Sequence, residues 1–300
     1  FLLVINAIAI VLLALWLFVA GIKNHDLQWS RARILFSRDY IKYSLASWPV
    51  PVVIFANIYA SQIIIKQFAG DDILGVFLSA NIFANIFAVV QGGFNTFWSG
   101  YMMANYNTDQ ERIKKVHDYV GIFVIITLCV LVASKELVYM VIGPKYSGSS
   151  AIFPMVMMGP LCNMMVETTA YGISIAKKAH HSLFSYSIYF ILNNVIALIL
   201  VPKFGMLGAG IAILSAAVVN FLMQTILGQR YYSSIQNPFR TFFAISVLIL
   251  ISIVNYIYRE TWYISTGIAI LIILAAIIVY WNSIKYLILI MKSRMILTEH

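Results

Sequence analysis

Long apolar runs alternate with short polar ones along the chain. Nine runs reach the roughly 20 residues that an α-helix needs to cross the hydrocarbon core of a bilayer. They cover 1–22, 43–68, 75–103, 119–142, 151–174, 183–201, 207–228, 239–258 and 262–286. The polar connections are mostly short, so the pattern predicts a bundle of antiparallel neighbours. The longest connection, 23–42, carries Lys23, Arg31, Arg33, Arg38 and Lys42 together with Trp29, Ile34, Leu35 and Phe36. That mixture suits an interfacial segment or a plain topogenic loop. The predicted fold class is all-α, a polytopic transmembrane bundle.

Composition narrows this further. Of the 300 residues 62% are hydrophobic and 10% charged, with a mean hydropathy of +0.89. Soluble domains carry about a quarter charged residues, and a wet surface cannot be built from this chain. The net charge of +9 points to topology rather than to nucleic acid. Lys66, Lys135, Lys145, Lys203 and Arg259 fall on one side of the predicted spans, and the other fifteen Lys and Arg on the opposite side. Cytoplasmic loops collect such charges, so the basic side and the C-terminus are expected inside. Nine crossings then place Phe1 outside, and that start without a basic leader predicts helices upstream. Trp98, Tyr101, Tyr258, Trp262 and Trp281 sit near span ends, as interfacial aromatics do. Cys129 and Cys162 lie in apolar runs and imply no disulfide framework.

Polar residues at membrane depth mark the candidate chemistry, because they are costly there unless they face a partner or a wet cavity. They concentrate in the six spans of 43–229: Asn57, Ser61 and Gln62; Asn81, Asn85, Gln91 and Asn95; Asn163, Glu167, Thr168 and Thr169; Asn193 and Asn194; Asn220 and Gln224. The last two spans, within 230–300, offer little beyond Asn255 and Ser265, and read as a peripheral pair. Asn57 and Ser61, Asn81 and Asn85, and Asn163 and Glu167 are each four apart, so each pair shares a helix face. Such amides serve either as hydrogen-bonding glue between helices or as cavity lining. Glu167 reads as the one carboxylate well inside a span. It is a candidate for taking up a proton or holding a cation, or for a structural pair. Lys66 either snorkels or faces an anionic headgroup. Arg112, Lys114 and Lys115 are candidates for headgroup contact as well as topology signals. Pro49 and Pro51 are expected to kink the second span, and Gly92-Gly93 to interrupt the third.

Soluble-enzyme signatures are missing. Gly205, Gly208 and Gly210 have the wrong spacing for a dinucleotide turn, and His180-His181 has no acidic or Cys neighbours for a metal. No catalytic residue, cofactor or metal is assigned, and no enzyme is expected.

Three segments stand out together. Asn193-Asn194, Pro202, Gly205 and Gly208-Ala209-Gly210 form an Asn-bearing run that ends in a Pro, a Gly turn and a small-residue patch. Gly143-Pro-Lys-Tyr146, before Ala151 and Pro154, forms a Gly-x-x-Tyr turn. Phe94-Asn95-Thr-Phe-Trp98 forms a Phe-Asn-x-x-Trp patch. In these three segments the chain resembles O-antigen flippases of the Wzx type. The family belongs to the multidrug/oligosaccharidyl-lipid/polysaccharide exporter superfamily. The resemblance implies a MATE-like six-helix C-terminal lobe at 43–229 and two added helices in 230–300. It makes 1–22 the last helix of a first lobe, 23–42 the loop between lobes, and about five helices absent upstream.

It implies a bacterial inner-membrane protein that moves an undecaprenyl-pyrophosphate-linked oligosaccharide (an O-antigen, capsule or exopolysaccharide repeat unit) to the outer leaflet by alternating access. A glycan polymerase and a chain-length regulator are its implied partners, and most cavity cations would belong to the other lobe. A cation-coupled drug or metabolite antiporter of the same superfamily is the alternative. A membrane glycan polymerase is a further one, although its sizeable outer loop is not seen.

Overall fold

The computed structural model describes residues 47–287 continuously, and before them only Leu12, Leu15, Trp16, Val19, Lys42, Ser44 and Leu45. The chain divides into two units, Phe1–Lys42 and Tyr43–His300. Most of the first predicted span and of the basic connection 23–42 lies outside the described residues.

The second unit is an all-helical bundle. Its helices are α1 Pro49–Ala69, α2 Asp71–Asn105, α3 Gln110–Ala133 and α4 Lys135–Ile142. A 3-10 segment, Pro144–Ala151, leads into α5 Phe153–Thr169 and the short α6 Tyr171–Ile175. Then come α7 Ala179–Phe204, α8 Met206–Gln229, α9 Pro238–Ile257 and α10 Trp262–Val279. Seven of them (α1, α2, α3, α7, α8, α9 and α10) are each long and apolar enough to cross a membrane. The 3-10 segment and α5 together make an eighth candidate, bent by 61°. This is a multi-pass membrane protein.

The bundle is organised around α5. Thirteen of its 17 residues are buried, among them Met155, Met157, Met158, Met164 and Met165. Unbranched thioethers fill irregular gaps between helices that meet at several angles, and α5 packs against α2, α3, α8 and α9 at once. By contrast α10 buries only Ser265, Ala269, Ile272 and Ala276. Others, such as Leu271 and Ile278, lie uncovered, so one face of α10 is left for lipid while another packs on α3. The crossing of α6 on α8 is closer still. A Cβ on Gly172 would sit 2.0 Å from the Gly228 carbonyl oxygen, and one on Gly228 would sit 2.4 Å from that of Thr169. Small residues let membrane helices approach this closely.

Two sequence expectations are corrected and one is met. Gly92-Gly93 does not interrupt its span: α2 runs unbroken for 35 residues, about 52 Å at 1.5 Å per residue. Pro49 and Pro51 stand in the first turn of α1, directly after the helical Ser44, Leu45 and Ser47 and a turn at Trp48, so the helical run is broken where the prolines are expected to disturb it. The fifth span is not one straight helix over 151–174. It bends at Ile152 and ends at Thr169. The proline inside a buried helix is Pro160.

The last pair, α9 and α10, is not peripheral. Both helices pack on α3, and α9 also packs on α5. The contacts are polar as well as apolar. Arg240 on α9 pairs with Asp118 on α3, whose side chain is fully buried. Arg240 Nη1 also donates to Ser283 Oγ at 2.9 Å, and Ser283 donates to Asp118 at 2.8 Å. His117 places its two ring nitrogens 2.7 Å from Thr168 on α5 and 2.8 Å from Thr241 on α9. At the other end Lys135, 1% exposed, donates to Asn255 at 3.0 Å. Asn255 in turn donates to the carbonyls of Ser150 and Ala151. A side-chain amide on α9 therefore holds the segment just before the bend.

Removing one member of a buried ion pair leaves an uncompensated charge and costs about 3–5 kcal/mol. Arg240→Leu is therefore expected to lower the thermal stability of the detergent-solubilised protein strongly, and Asp118→Leu/Arg240→Leu to regain most of the loss. A double variant as unstable as Arg240→Leu would show that the two side chains are not coupled.

Candidate functional site

The polar residues of 43–229 sort into two sets, one that joins helices and one that lines a space. The joining set lies between α1 and α7. Asn193 donates to Asn57 Oδ1 at 3.0 Å and to Ser61 Oγ at 2.8 Å, and Asn194 donates to the same Asn57 oxygen at 3.1 Å. The spacing Asn57/Ser61 puts both partners on one face of α1, opposite the Asn pair. Asn220 accepts from Ser185 at 2.8 Å across α7 and α8, and Gln224 accepts from Ser182 at 3.4 Å. Bonds of this kind contribute about 0.6–2 kcal/mol each in membrane bundles.

The lining set surrounds a cavity of about 240 Å³ bounded by α1, α2, α5 and α7, with Ile213 of α8 at its edge. Asn57, Gln62, Asn81, Asn85, Gln91 and Asn163 line it, so six of the ten candidate amides come together. One stripe of α2 supplies much of the wall: Asn81, Asn85, Ala88 and Gln91 succeed one another by four, three and three residues. Asn81 donates to the Phe77 carbonyl at 3.2 Å, which leaves its side-chain oxygen free to accept. Tyr186 and Tyr189 of α7 also line the cavity. The sequence pattern did not single them out, although Tyr186, Tyr189 and Asn193 continue one face at three- and four-residue spacing.

Backbone chemistry adds to this wall. Pro160 has no N–H, so the Val156 carbonyl one turn earlier lacks its helical partner. Val156, Gly159 and Pro160 all line the cavity. Broken hydrogen bonding in a membrane helix is tolerated where it borders protein or a wet space. The interruption expected on α2 is thus found across the cavity on α5.

Glu167 lies beyond the lining residues. It stands in the last turn of α5, near the end that carries Lys177, Lys178 and Arg112, rather than at the middle of a span. Gln91 Nε2 donates to its carboxylate at 3.4 Å, and Asn95 is a second amide partner. The indole of Trp98 donates to the Glu167 backbone carbonyl at 2.9 Å. Gln91 therefore joins the cavity to the carboxylate, and Asn95 and Trp98 fix the turn that bears it. Glu167 is also not the sole carboxylate at depth. Asp118 is more deeply buried, and a span start placed at Tyr119 hid it from the hydropathy pattern.

The cationic candidates stand away from the cavity. Lys66 pairs with Asp71 at 3.0 Å, both well exposed. Arg112 lies 3.9 Å from Asp109 and over the Tyr101 ring. Lys114 is half-buried on the same turn. Lys115 lies 3.4 Å from Glu111 and over the Tyr286 ring. No charged side chain lines the cavity. Among the described residues no group of three His, Cys, Asp or Glu could hold a metal.

If the cavity is wet, Asn85→Cys will react with a small water-soluble thiol reagent about tenfold or more faster than Leu271→Cys on the uncovered face of α10, because a thiol in hydrocarbon does not ionise. Equal rates would make the cavity dry. The native Cys129 and Cys162 are buried and supply the unreactive baseline. No protein-family model, curated protein or solved structure matches this chain.

Proposed function

We propose that the chain belongs to a membrane transporter that passes a polyprenyl-pyrophosphate-linked oligosaccharide between leaflets by alternating access. The observation that carries this reading is the amide-lined cavity inside a bundle of apolar helices. Each amide offers both donors and an acceptor, which is the complement of a sugar hydroxyl. Tyr186 and Tyr189 add ring faces on which sugar C–H surfaces can pack. The volume lies just below the about 300–1,000 Å³ of sites that enclose a whole small ligand. The cavity therefore suits a sugar residue of a longer glycan. With no Lys or Arg in its lining, it meets the sugar, and the pyrophosphate is held elsewhere. The resemblance of the Asn193–Gly210 stretch to Wzx-type flippases supports the same reading.

A second reading is a cation-coupled drug or metabolite antiporter. It is favoured by the link from Gln91 to Glu167, which ties a titratable group to the cavity wall.

Deletion of the gene, with a leaflet-resolved assay of lipid-linked glycans, tests the proposal. Accumulation on the cytoplasmic leaflet is expected, reversed by the wild-type protein. Asn85→Leu/Asn163→Leu, present in the membrane at the normal level, should rescue about tenfold less well, since two lost hydrogen bonds amount to about 1–2 kcal/mol. An unchanged glycan distribution with lost drug tolerance would replace the flippase by the antiporter. In that case Glu167→Gln should remove dependence on the ion gradient.

A further inference from the structure

A second polar pocket shares no residue with the amide-lined cavity. It lies where α3 and α9 begin and where α10 leads into the helical residues 281–287. Its volume is about 340 Å³, and Lys115, Asn237, Arg240, Asn282, Ser283 and Tyr286 line it. Lys115 is among the headgroup-contact candidates of the sequence; the other residues named have no part in the transport reading.

The two cations are held in different ways. Lys115 sits 3.4 Å from the centre of the Tyr286 ring, and its side chain is 16% exposed, whereas its partner Glu111 is 82% exposed. The ammonium is thus anchored in the protein and the carboxylate stands in solvent, where such pairs are weak. An anionic oxygen can take the place of Glu111 without loss. Arg240 is already neutralised in part by Asp118, but it uses only Nη1 for Asp118 and Ser283. A guanidinium has five N–H donors, so the donors on its other nitrogens remain for a ligand. Asp109, the other carboxylate near this end, is engaged by Tyr101 and Arg112. The positive excess in the pocket therefore comes from Lys115, with Arg240 and the amides of Asn237 and Asn282 as directed donors.

An apolar groove of about 410 Å³ lies on the neighbouring face of α9, between α8 and α9. It is lined by Phe221, Leu222, Ile226, Pro238, Phe242 and Ile245, among others. Asn237 and Arg240 line the polar pocket, while the next residues in each case, Pro238 and Thr241, line the groove. One turn of α9 thus separates a phosphate-sized donor cluster from an acyl-sized slot at the end of membrane-crossing helices. A soluble phosphate compound would leave the groove empty. A phospholipid fills both.

We infer that this end of the bundle holds an anionic phospholipid of the surrounding membrane, with its headgroup phosphate between Lys115 and Arg240 and an acyl chain along the α8–α9 groove. Basic pockets between membrane helices bind acidic headgroups in this way, at about fivefold in affinity per Lys or Arg.

The test is native mass spectrometry of the full purified chain in mild detergent, with phosphatidylglycerol and phosphatidylcholine offered in equal amounts. The wild-type protein is expected to retain phosphatidylglycerol preferentially, and Lys115→Gln to lower that preference about fivefold. Asn282→Leu, at an exposed position of the same pocket, should also lower it. This variant keeps the test open if Lys115→Gln fails to fold. No preference in the wild-type protein, or an unchanged preference in the folded variants, overturns the assignment. So does displacement of the lipid by millimolar inorganic phosphate, which would make the pocket a site for soluble phosphate.

Discussion

A side-chain amide or charge inside a bundle wrapped in hydrocarbon has no bulk water to return to. Each one must find a partner on a neighbouring helix, reach a wet space, or sit at an end of the bundle. The polar groups of this chain meet that constraint in three places. Asn57, Ser61, Asn193 and Asn194 tie α1 to α7. His117, Asp118 and Arg240 tie α3 to α9, with a branch to Thr168 on α5. Gln62, Asn81, Asn85, Gln91 and Asn163, with Asn57 shared, line the cavity bounded by α1, α2, α5 and α7. The first two groups hold helices together, although the oxygens Asp118 Oδ1, Asn193 Oδ1 and Asn194 Oδ1 are left without a protein partner among the described residues. The third borders an open space rather than a neighbouring helix, and that is why the cavity is the candidate for function.

The central helix makes this division possible. Because α5 touches four other helices, its side chains must be apolar and adaptable on most faces, and the methionines supply that. On its cavity face Gly159, Pro160 and Asn163 replace them. Proline frees a carbonyl, glycine leaves room, and the amide adds a polar group. The opposite wall is the unbroken α2, whose small and amide residues recur at helical spacing. One wall is irregular in its backbone and the other regular. Under the proposed alternating access, the irregular wall is the one with conformational freedom.

Much of the fold was legible in the sequence because it is dictated by hydropathy. All eight predicted spans that fall within the described residues correspond to helices or bent helix pairs, and the turns at Gly143 and Gly205 take positive φ as their glycines allow. Side-chain destinations were less legible. Six amides line one cavity and four do not, and the difference between Asn85 and Asn193 lies in what each faces, an open space or the Asn57 side chain of α1, which periodicity alone does not encode. Gly92-Gly93 was read as a break because glycine weakens isolated helices, but flanking turns with full hydrogen bonding carry α2 through it. In the sequence Asp118 falls just outside a predicted span, and Lys135 counts only as a charge on the sparsely basic side. Their partners, Arg240 and Asn255, lie more than a hundred residues later, so no local pattern could pair them. For the same reason the last two helices looked dry and peripheral, although they clamp α3.

The central claim is that the amides of α1, α2 and α5 face a hydrated pocket open to a glycan, not a packed seam. A cryo-electron microscopy map of the protein in lipid nanodiscs, with lipid-linked oligosaccharide added, tests this most directly. Ordered water or sugar density within hydrogen-bonding reach of Asn85, Gln91 and Asn163 is the expected result. Acyl-chain density filling that space, with Asn85 turned toward lipid, would contradict it.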